Sequence, residues 1–153
     1  MVANKYFDLT VKSPGRINLI GEHIDYNGGH VLPAAINLNI KIGLKKKEGS
    51  VCHVSSKVKG GFKFNLNEPL KPKSDDLWAN YILGVINGIL KLRPKQLSAF
   101  DCDIEGNLPI GSGISSSAAL ECGITFGLNA LFNLNLSELD LSLIHISEPT
   151  RPY

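Results

Sequence analysis

The sequence has little net charge, few cysteines and no long apolar run. Lysine and arginine total 16 and aspartate and glutamate total 14, so a net charge of +2 indicates neither nucleic acid nor a membrane surface as the main partner. Cys52, Cys102 and Cys122 are odd in number and widely spaced, which favours buried, reduced thiols over disulfides or a zinc site. The chain contains neither a leader-like segment nor an apolar run long enough to cross a bilayer, so we expect a cytoplasmic protein.

Apolar residues make up 43% of the 153 positions, which is enough for one domain with an ordinary core. Alternating patterns predict strands over 6–13, 16–21, 31–33, 36–44, 51–55, 62–66 and 100–105, and helical spacing predicts helices over 77–92 and from Ser115 onward. We predict a turn at Pro14 and Gly15, and a hairpin at 47–49 whose solvated tip carries Lys45, Lys46 and Lys47. This order of elements favours an α+β fold.

Two local sequence patterns add detail to the predicted helices. Gly123 and Gly127 lie inside the second helix and each costs about 1 kcal/mol relative to alanine, so we expect close packing of that helix on the sheet. Ser137 and Asp140 have the spacing of a helix start.

The last residues do not read as part of the domain. Residues 141–153 resemble the in-frame translation of a sequencing adapter, so we expect a native N-terminal domain over 1–140 and a natural protein that continues beyond it.

A polar segment over 13–29 combines an arginine, two carboxylates and a histidine with turn-forming residues. A core does not need this mixture, whereas a site for a polar small molecule does. A structural alternative remains open, in which Arg16 pairs with Glu22 or Asp25 and His23 stabilises a turn.

A second polar loop over 109–117 follows a predicted strand and precedes a helix. Gly111 and Gly113 let the backbone approach an anion, and the helix start contributes N–H groups and a positive dipole. Ser115, Ser116 and Ser117 offer hydroxyls to phosphate or to magnesium. The loop lacks the lysine of a Walker A motif, and on its own it is also compatible with a serine-capped turn.

These two motifs carry a family resemblance. Residues 14–29, followed by 31–33, resemble the signature of the galactokinase family, and residues 109–119 resemble the ATP-binding motif of the wider GHMP kinase superfamily. The resemblance extends over 6–140 and implies an incomplete N-terminal GHMP kinase domain with the ribosomal protein S5 domain 2-like fold. It also implies transfer of a phosphoryl group from ATP, with Mg²⁺, to the C1 hydroxyl of galactose by a monomeric enzyme.

The resemblance further implies roles for individual residues. Arg16 is the cation beside the transferring phosphoryl group. The sugar-binding segment is Glu22, His23, Ile24 and Asp25. The nucleotide phosphates are held by Gly111, Ser112, Gly113, Ile114, Ser115, Ser116 and Ser117, and Ser117 also helps to hold Mg²⁺.

The parts of a galactokinase that supply the catalytic aspartate and the acidic magnesium ligand have no counterpart in residues 1–140. We therefore predict negligible turnover by this chain alone. Two alternatives stay open, namely a kinase for N-acetylgalactosamine or another sugar, and a non-catalytic sugar sensor. The intact serine and alanine run over 115–119 favours the enzyme.

Overall fold

The computed structural model describes residues 6–21, 29–108, 115–137 and 139–141. Its strands and helices are β1 (Leu9–Ile20), β2 (Leu32–Lys46), β3 (Val51–Ser56), β4 (Gly60–Asn65), α1 (Leu77–Leu92), β5 (Phe100–Gly106) and α2 (Ser116–Phe132). The fold is α+β, as the sequence predicts. None of the helices within these described ranges is long and apolar enough to span a membrane.

The strands form one mixed sheet in the order β1-β2-β5-β3-β4. The last strand in the sequence, β5, lies between β2 and β3, antiparallel to the first and parallel to the second. The predicted hairpin at 47–49 is therefore wrong, because Asp101 of β5 is the register partner of both Lys45 on β2 and His53 on β3.

The lysines of that predicted hairpin tip have structural roles instead. Lys47 Nζ lies 3.1 Å from Asp101 Oδ1 and so ties β2 to β5. Lys46 Nζ lies 5.2 Å from the centre of the Phe132 ring, a cation–π distance that links β2 to the end of α2.

The predicted turn at Pro14 and Gly15 is also wrong. β1 runs straight through both residues, and the register against β2 shifts between Pro14 and Arg16, which marks a β-bulge. Proline cannot donate a backbone hydrogen bond to a neighbouring strand. It is tolerated there because β1 is an edge strand and the residue lies at a bulge. The two short strands predicted over 31–33 and 36–44 are likewise one continuous strand, β2.

Helix α1 has the predicted bounds, and its apolar stripe enters the core. Both helices contribute to one buried cluster with the sheet, whose fully buried members include Ile42, Leu44, Cys52, Ile82, Ile86, Ile89, Phe100, Ile124 and Leu128. Of the three cysteines, Cys52 and Cys102 are buried as expected. The expectation of burial is wrong for Cys122, which is exposed on α2.

Close packing of α2 on the sheet is confirmed at both of its glycines. A Cβ atom on Gly123 would lie 2.7 Å from Ile42 Cδ1 and 2.9 Å from Ser13 Cβ, and one on Gly127 would lie 2.5 Å from Leu44 Cδ1. Any side chain at these two positions would push α2 away from β1 and β2.

The predicted helix start at Ser137 is confirmed by a reciprocal capping box. Asp140 N donates to Ser137 Oγ over 3.1 Å, and Ser137 N donates to Asp140 Oδ2 over 3.0 Å. Arg93 holds this connection to the end of α1 by donating to the carbonyl oxygens of Leu134 and Asn135. The adapter-like residues from 142 onward lie outside the described part of the chain.

Candidate functional site

A cavity of about 820 Å³ opens where β2, β5 and both helices meet. Its volume falls in the range of small-molecule sites. The lining residues are Asn39, Ile40, Lys41, Ser56, Lys57, Val58, Lys59, Trp78, Tyr81, Ile104, Glu105, Gly106, Asn107, Leu108, Ser116, Ser117 and Leu120.

One wall of the cavity is apolar and aromatic. Trp78 and Tyr81 lie three residues apart on α1 and face the cavity together with Val58 and Leu120. The Trp78 ring packs edge-on against Phe62, with centroids 5.4 Å apart, which fixes its position. Such a wall suits a flat, apolar ring system.

The start of α2 also lines the cavity. Ser116 and Ser117 line the cavity and form the first turn of the helix. Ser115 precedes them in a left-handed conformation, with φ 56° and ψ 43°, and its side chain does not cap the helix. The N–H groups of this first turn are therefore not satisfied by the usual capping serine, and an anion is a suitable partner for them.

Arg16 lies level with this helix start. The contacts of Gly123 with Ser13 and of Gly127 with Val11 show that α2 and β1 run in opposite directions. From the first contact, the start of α2 at Ser116 is about 10 Å back along the helix. Arg16 is about 10 Å farther along β1 in the same direction.

The charge of Arg16 also acts on α2. Desolvation of the sulfur and the nearby Glu121 carboxylate raise the pKa of Cys122, whereas Arg16 acts in the lowering direction. Arg16 therefore lies near the first half of α2, although it is not among the lining residues of the cavity that Ser116 and Ser117 border. Gly111, Ser112, Gly113 and Ile114 lie outside the described residues.

The mouth of the cavity is net positive. Three of its lining residues are lysines and one is a glutamate, Glu105. The hydrogen bond from Lys57 and its positive charge hold the pKa of Glu105 below the ordinary value, and the same contact raises the pKa of Lys57. Lys41 is the second cation beside this carboxylate, at 3.6 Å. A positive mouth attracts an anionic ligand.

The sugar segment Glu22, His23, Ile24 and Asp25 lies outside the described residues, but the residues that flank the undescribed stretch, Gly21 on one side and Gly29 on the other, are described. Ile20 pairs with Leu32 at the end of the two-stranded ribbon that β1 and β2 form. Gly21 has φ +91°, and a Cβ atom there would lie 2.6 Å from the His30 carbonyl oxygen. The described residues on either side of the predicted segment therefore lie at the same end of this ribbon.

The described ranges contain no group of three or more histidine, cysteine, aspartate or glutamate side chains that could hold a metal ion. Ser117 offers one hydroxyl oxygen in the cavity. Magnesium commonly takes one or two protein oxygens and completes its shell with phosphate oxygens and water. The residues present thus fit an ion that arrives with a phosphate ligand better than a preformed protein cage.

The stretch from Trp78 to Tyr81 also resembles galactokinases, but from the sequence alone a core position for Trp78 is favoured over a nucleotide platform. In the structure it contacts the core through Phe62 and also borders the cavity. The available signal was the spacing of Trp78 and Tyr81, which puts two large aromatic residues on one side of a helix.

The comparisons with known proteins agree with this geometry. The family profile described as "GHMP kinases N terminal domain" matches residues 80–148. The solved mevalonate kinase of Methanococcus jannaschii superposes with a TM-score of 0.74 at 22% identity, covering 93% of this chain and 45% of that one, which establishes the shared fold. The chain is thus an N-terminal domain of the GHMP kinase class.

More specific matches define its family. The profile described as "Galactokinase galactose-binding signature" matches residues 4–46. The galactokinase of Clostridium perfringens strain ATCC 13124 is 44% identical over 135 residues, or 86% of this chain. The crystal structure of Lactococcus lactis galactokinase complexed with galactose superposes with a TM-score of 0.78 at 38% identity, over 90% of this chain and 36% of that one.

The chain matches the N-terminal part of galactokinases. It spans about a third of the length of the curated relatives it matches, 35% in the case of the C. perfringens protein.

Proposed function

We propose that this chain forms the ATP-binding and galactose-binding part of a galactokinase, which transfers the γ-phosphoryl group of ATP to the C1 hydroxyl of galactose. The observation that carries the proposal is that one cavity is lined both by the aromatic wall at Trp78 and by the start of α2 at Ser116 and Ser117. The aromatic wall suits a purine ring and the helix start suits phosphate. The galactose-binding profile over residues 4–46 supports the choice of sugar.

The residues take roles that their chemistry allows. Residues 111–117 hold the nucleotide phosphates with backbone N–H groups and hydroxyls, and Ser117 supplies an oxygen to Mg²⁺ when the metal is bound. Arg16 stabilises charge on the transferring group, because its guanidinium is always charged and presents a fixed set of donors. Residues 22–25 bind the sugar, where carboxylates accept directional hydrogen bonds from hydroxyl groups.

The nucleotide half of the proposal has a built-in probe. Trp78 is the only tryptophan of the chain and lines the cavity, so ADP binding should change its fluorescence in a saturable way. Trp78→Phe removes this signal, and calorimetry on the same variant reports whether ADP still binds. A folded chain that shows neither a fluorescence change nor heat with ADP would refute a nucleotide site here.

The sugar half is tested by calorimetry with galactose, N-acetylgalactosamine and glucose. We expect binding of galactose and no measurable heat with glucose. Asp25→Asn is expected to abolish galactose binding while leaving the ADP titration unchanged. Preference for N-acetylgalactosamine would reassign the substrate within the same reaction class.

The metal and arginine roles have their own variants. Ser117→Ala should reduce the gain in ADP affinity that Mg²⁺ gives, without changing ADP affinity in its absence. Arg16→Gln should weaken ATP binding more than Lys12→Gln, which removes the same charge from an exposed position on the same strand. Equal effects of Arg16→Gln and Lys12→Gln would show that only overall charge matters.

A further inference from the structure

Two asparagine residues meet where the pairing of β2 with β5 ends. The last register pair of these strands is Ile40 with Gly106. One residue farther, Asn39 N donates to Asn107 Oδ1 over 2.9 Å, and Asn107 N donates to the Asn39 carbonyl oxygen over 3.2 Å. The Asn39 side chain has a bond of its own, because its Nδ2 donates to the Asn37 carbonyl oxygen over 3.0 Å. Each side-chain amide is therefore bound to backbone through one of its two ends.

These backbone bonds determine which end of each amide stays available. The partner of the Asn107 amide is an N–H group, so its oxygen must accept and its Nδ2 remains as a donor. The partner of the Asn39 amide is a carbonyl, so its nitrogen must donate and its Oδ1 remains as an acceptor. Among the residues that the structure describes, neither Asn107 Nδ2 nor Asn39 Oδ1 has a hydrogen-bond partner. The two strands thus present one donor and one acceptor side by side.

Both asparagines line the cavity, together with their apolar chain neighbours Ile40 and Leu108. The aromatic wall at Trp78 lines the same cavity. In sites of this kind a few polar groups fix the orientation of a ligand that apolar and aromatic side chains surround. Side-chain amides recognise adenine because its 6-amino group is a donor and the ring nitrogens on either side, N1 and N7, are acceptors. The free ends of Asn39 and Asn107 have the complementary pattern.

We propose that Asn39 and Asn107 select adenine as the base of the nucleotide, a role that rests on the proposed function. Asn39 Oδ1 accepts from the 6-amino group, and Asn107 Nδ2 donates to the ring nitrogen beside it. Neither side chain touches a reacting atom, so both determine specificity. A site that hydrogen-bonds a ligand group rejects an analogue without that group, because its own polar atom is then left unpaired.

The test measures binding of uncharged nucleosides to the full 153-residue chain by calorimetry. Purine riboside, which lacks the 6-amino group, should bind about tenfold more weakly than adenosine. Of 1-deazaadenosine and 7-deazaadenosine, in which carbon replaces N1 or N7, one should show a similar loss. Equal binding of adenosine and purine riboside, or of adenosine and both deaza analogues, would overturn the proposal.

Each variant should remove one of these two preferences. Asn39→Ala should bring adenosine and purine riboside within about twofold of each other, and Asn107→Ala should do so for adenosine and the weaker deaza analogue. Asn107→Asp keeps an oxygen for Asn39 N but replaces the free donor by a second oxygen, so it should also lose the preference for the ring nitrogen. Asn37→Ala is the matched control and should keep both preferences, because Asn37 lies outside the cavity lining and its carbonyl oxygen remains.

The outcomes separate this inference from the function on which it rests. If Asn107→Asp behaved as the parent chain does, Asn107 would have only a structural role and the proposal would be wrong. A loss with 2′-deoxyadenosine but none with purine riboside would also contradict it, because the amides would then contact the ribose. In both cases ADP would still bind and the proposed function would stand. A parent chain that binds neither ADP nor adenosine would overturn both proposals.

Discussion

Replacement of Gly123 by alanine tests whether α2 depends on close approach to the sheet. Alanine raises helix propensity by about 1 kcal/mol over glycine. The added methyl group, however, would lie 2.7 Å from Ile42 Cδ1 and 2.9 Å from Ser13 Cβ, both well inside normal contact. Ile42 is fully buried and the Cβ of Ser13 moves only with its backbone, so neither atom can easily give way.

Overpacking of this kind costs about 1–3 kcal/mol. With the propensity gain subtracted, we expect Gly123→Ala to lower the free energy of unfolding by about 1 kcal/mol. Urea unfolding followed by circular dichroism measures the change. Ala130→Gly, at an exposed position of the same helix, reports the propensity term without packing and should cost about 1 kcal/mol.

A second substitution identifies the clashing atom. Ile42→Val removes Cδ1, the atom nearest to the new methyl group, and on its own should cost about 0.5–1.5 kcal/mol. Combined with Gly123→Ala it should cost less than the sum of the two single changes. If Gly123→Ala instead raised the free energy of unfolding by about 1 kcal/mol, α2 would not depend on close approach to the sheet. Strictly additive effects of Gly123→Ala and Ile42→Val would lead to the same conclusion.

Three further predictions concern other parts of the fold. Hydrogen bonds from the Ser137 backbone and hydroxyl hold the pKa of Asp140 below its ordinary value of 3.8, so the ionised carboxylate stabilises the fold above that pH. Asp140→Asn should therefore lower the melting temperature at neutral pH, and the difference from the parent should disappear as the pH falls through the lowered pKa. Arg93→Ala should cost about 2 kcal/mol in urea unfolding, because the carbonyl oxygens of Leu134 and Asn135 lose charged donors, and Arg93→Lys should restore little of it because lysine lacks the planar fork. Burial raises the pKa of Cys52 to about 11, so iodoacetamide at pH 8 should modify Cys122 in the native chain and Cys52 only on unfolding, as followed by mass spectrometry. Equal labelling rates would contradict the described burial.

Local patterns predicted the elements well and their arrangement poorly. The period of apolar residues gave α1 its observed bounds, because one face of that helix is in the core along its length. The place of β5 in the sheet depends on pairing with residues about 50–65 positions away, for which periodicity gives no signal. A partial signal was present in the charges, since Asp101 and Glu105 of β5 meet Lys47 and Lys57, the residues that directly follow the two flanking strands.

The misread turn has a similar origin. Proline followed by glycine is typical of turns, but both residues are also tolerated at a bulge in an edge strand. The choice between the two depends on whether a neighbouring strand continues past them. β2 does so, and it pairs with β1 on both sides of Pro14.

In the candidate site, too, some residues were predicted from the sequence and others were identified only from the structure. Arg16 and the serines at the start of α2 were predicted because their chemistry is unusual for their local sequence. Trp78 was not, because an aromatic residue on a core-facing stripe is ordinary until the cavity beside it is seen. Residues whose chemistry is unusual for their local sequence can be identified from the sequence. Residues whose role depends on what packs around them can be identified only from the structure.

β2 connects these observations, since one strand positions both elements beside the proposed phosphate site. At its middle it holds β5 through Asn39, and three residues farther along it receives α2 at Ile42. If this shared support sets the site, Gly123→Ala should weaken ADP binding even though residue 123 is about 10 Å along the helix from Ser116. Ala130→Gly should not weaken it, because α2 stays in place. The Trp78 titration, performed well below both unfolding transitions, would measure this difference, and equal ADP affinities in the two variants would mean that the position of α2 on β2 does not control the phosphate end of the cavity.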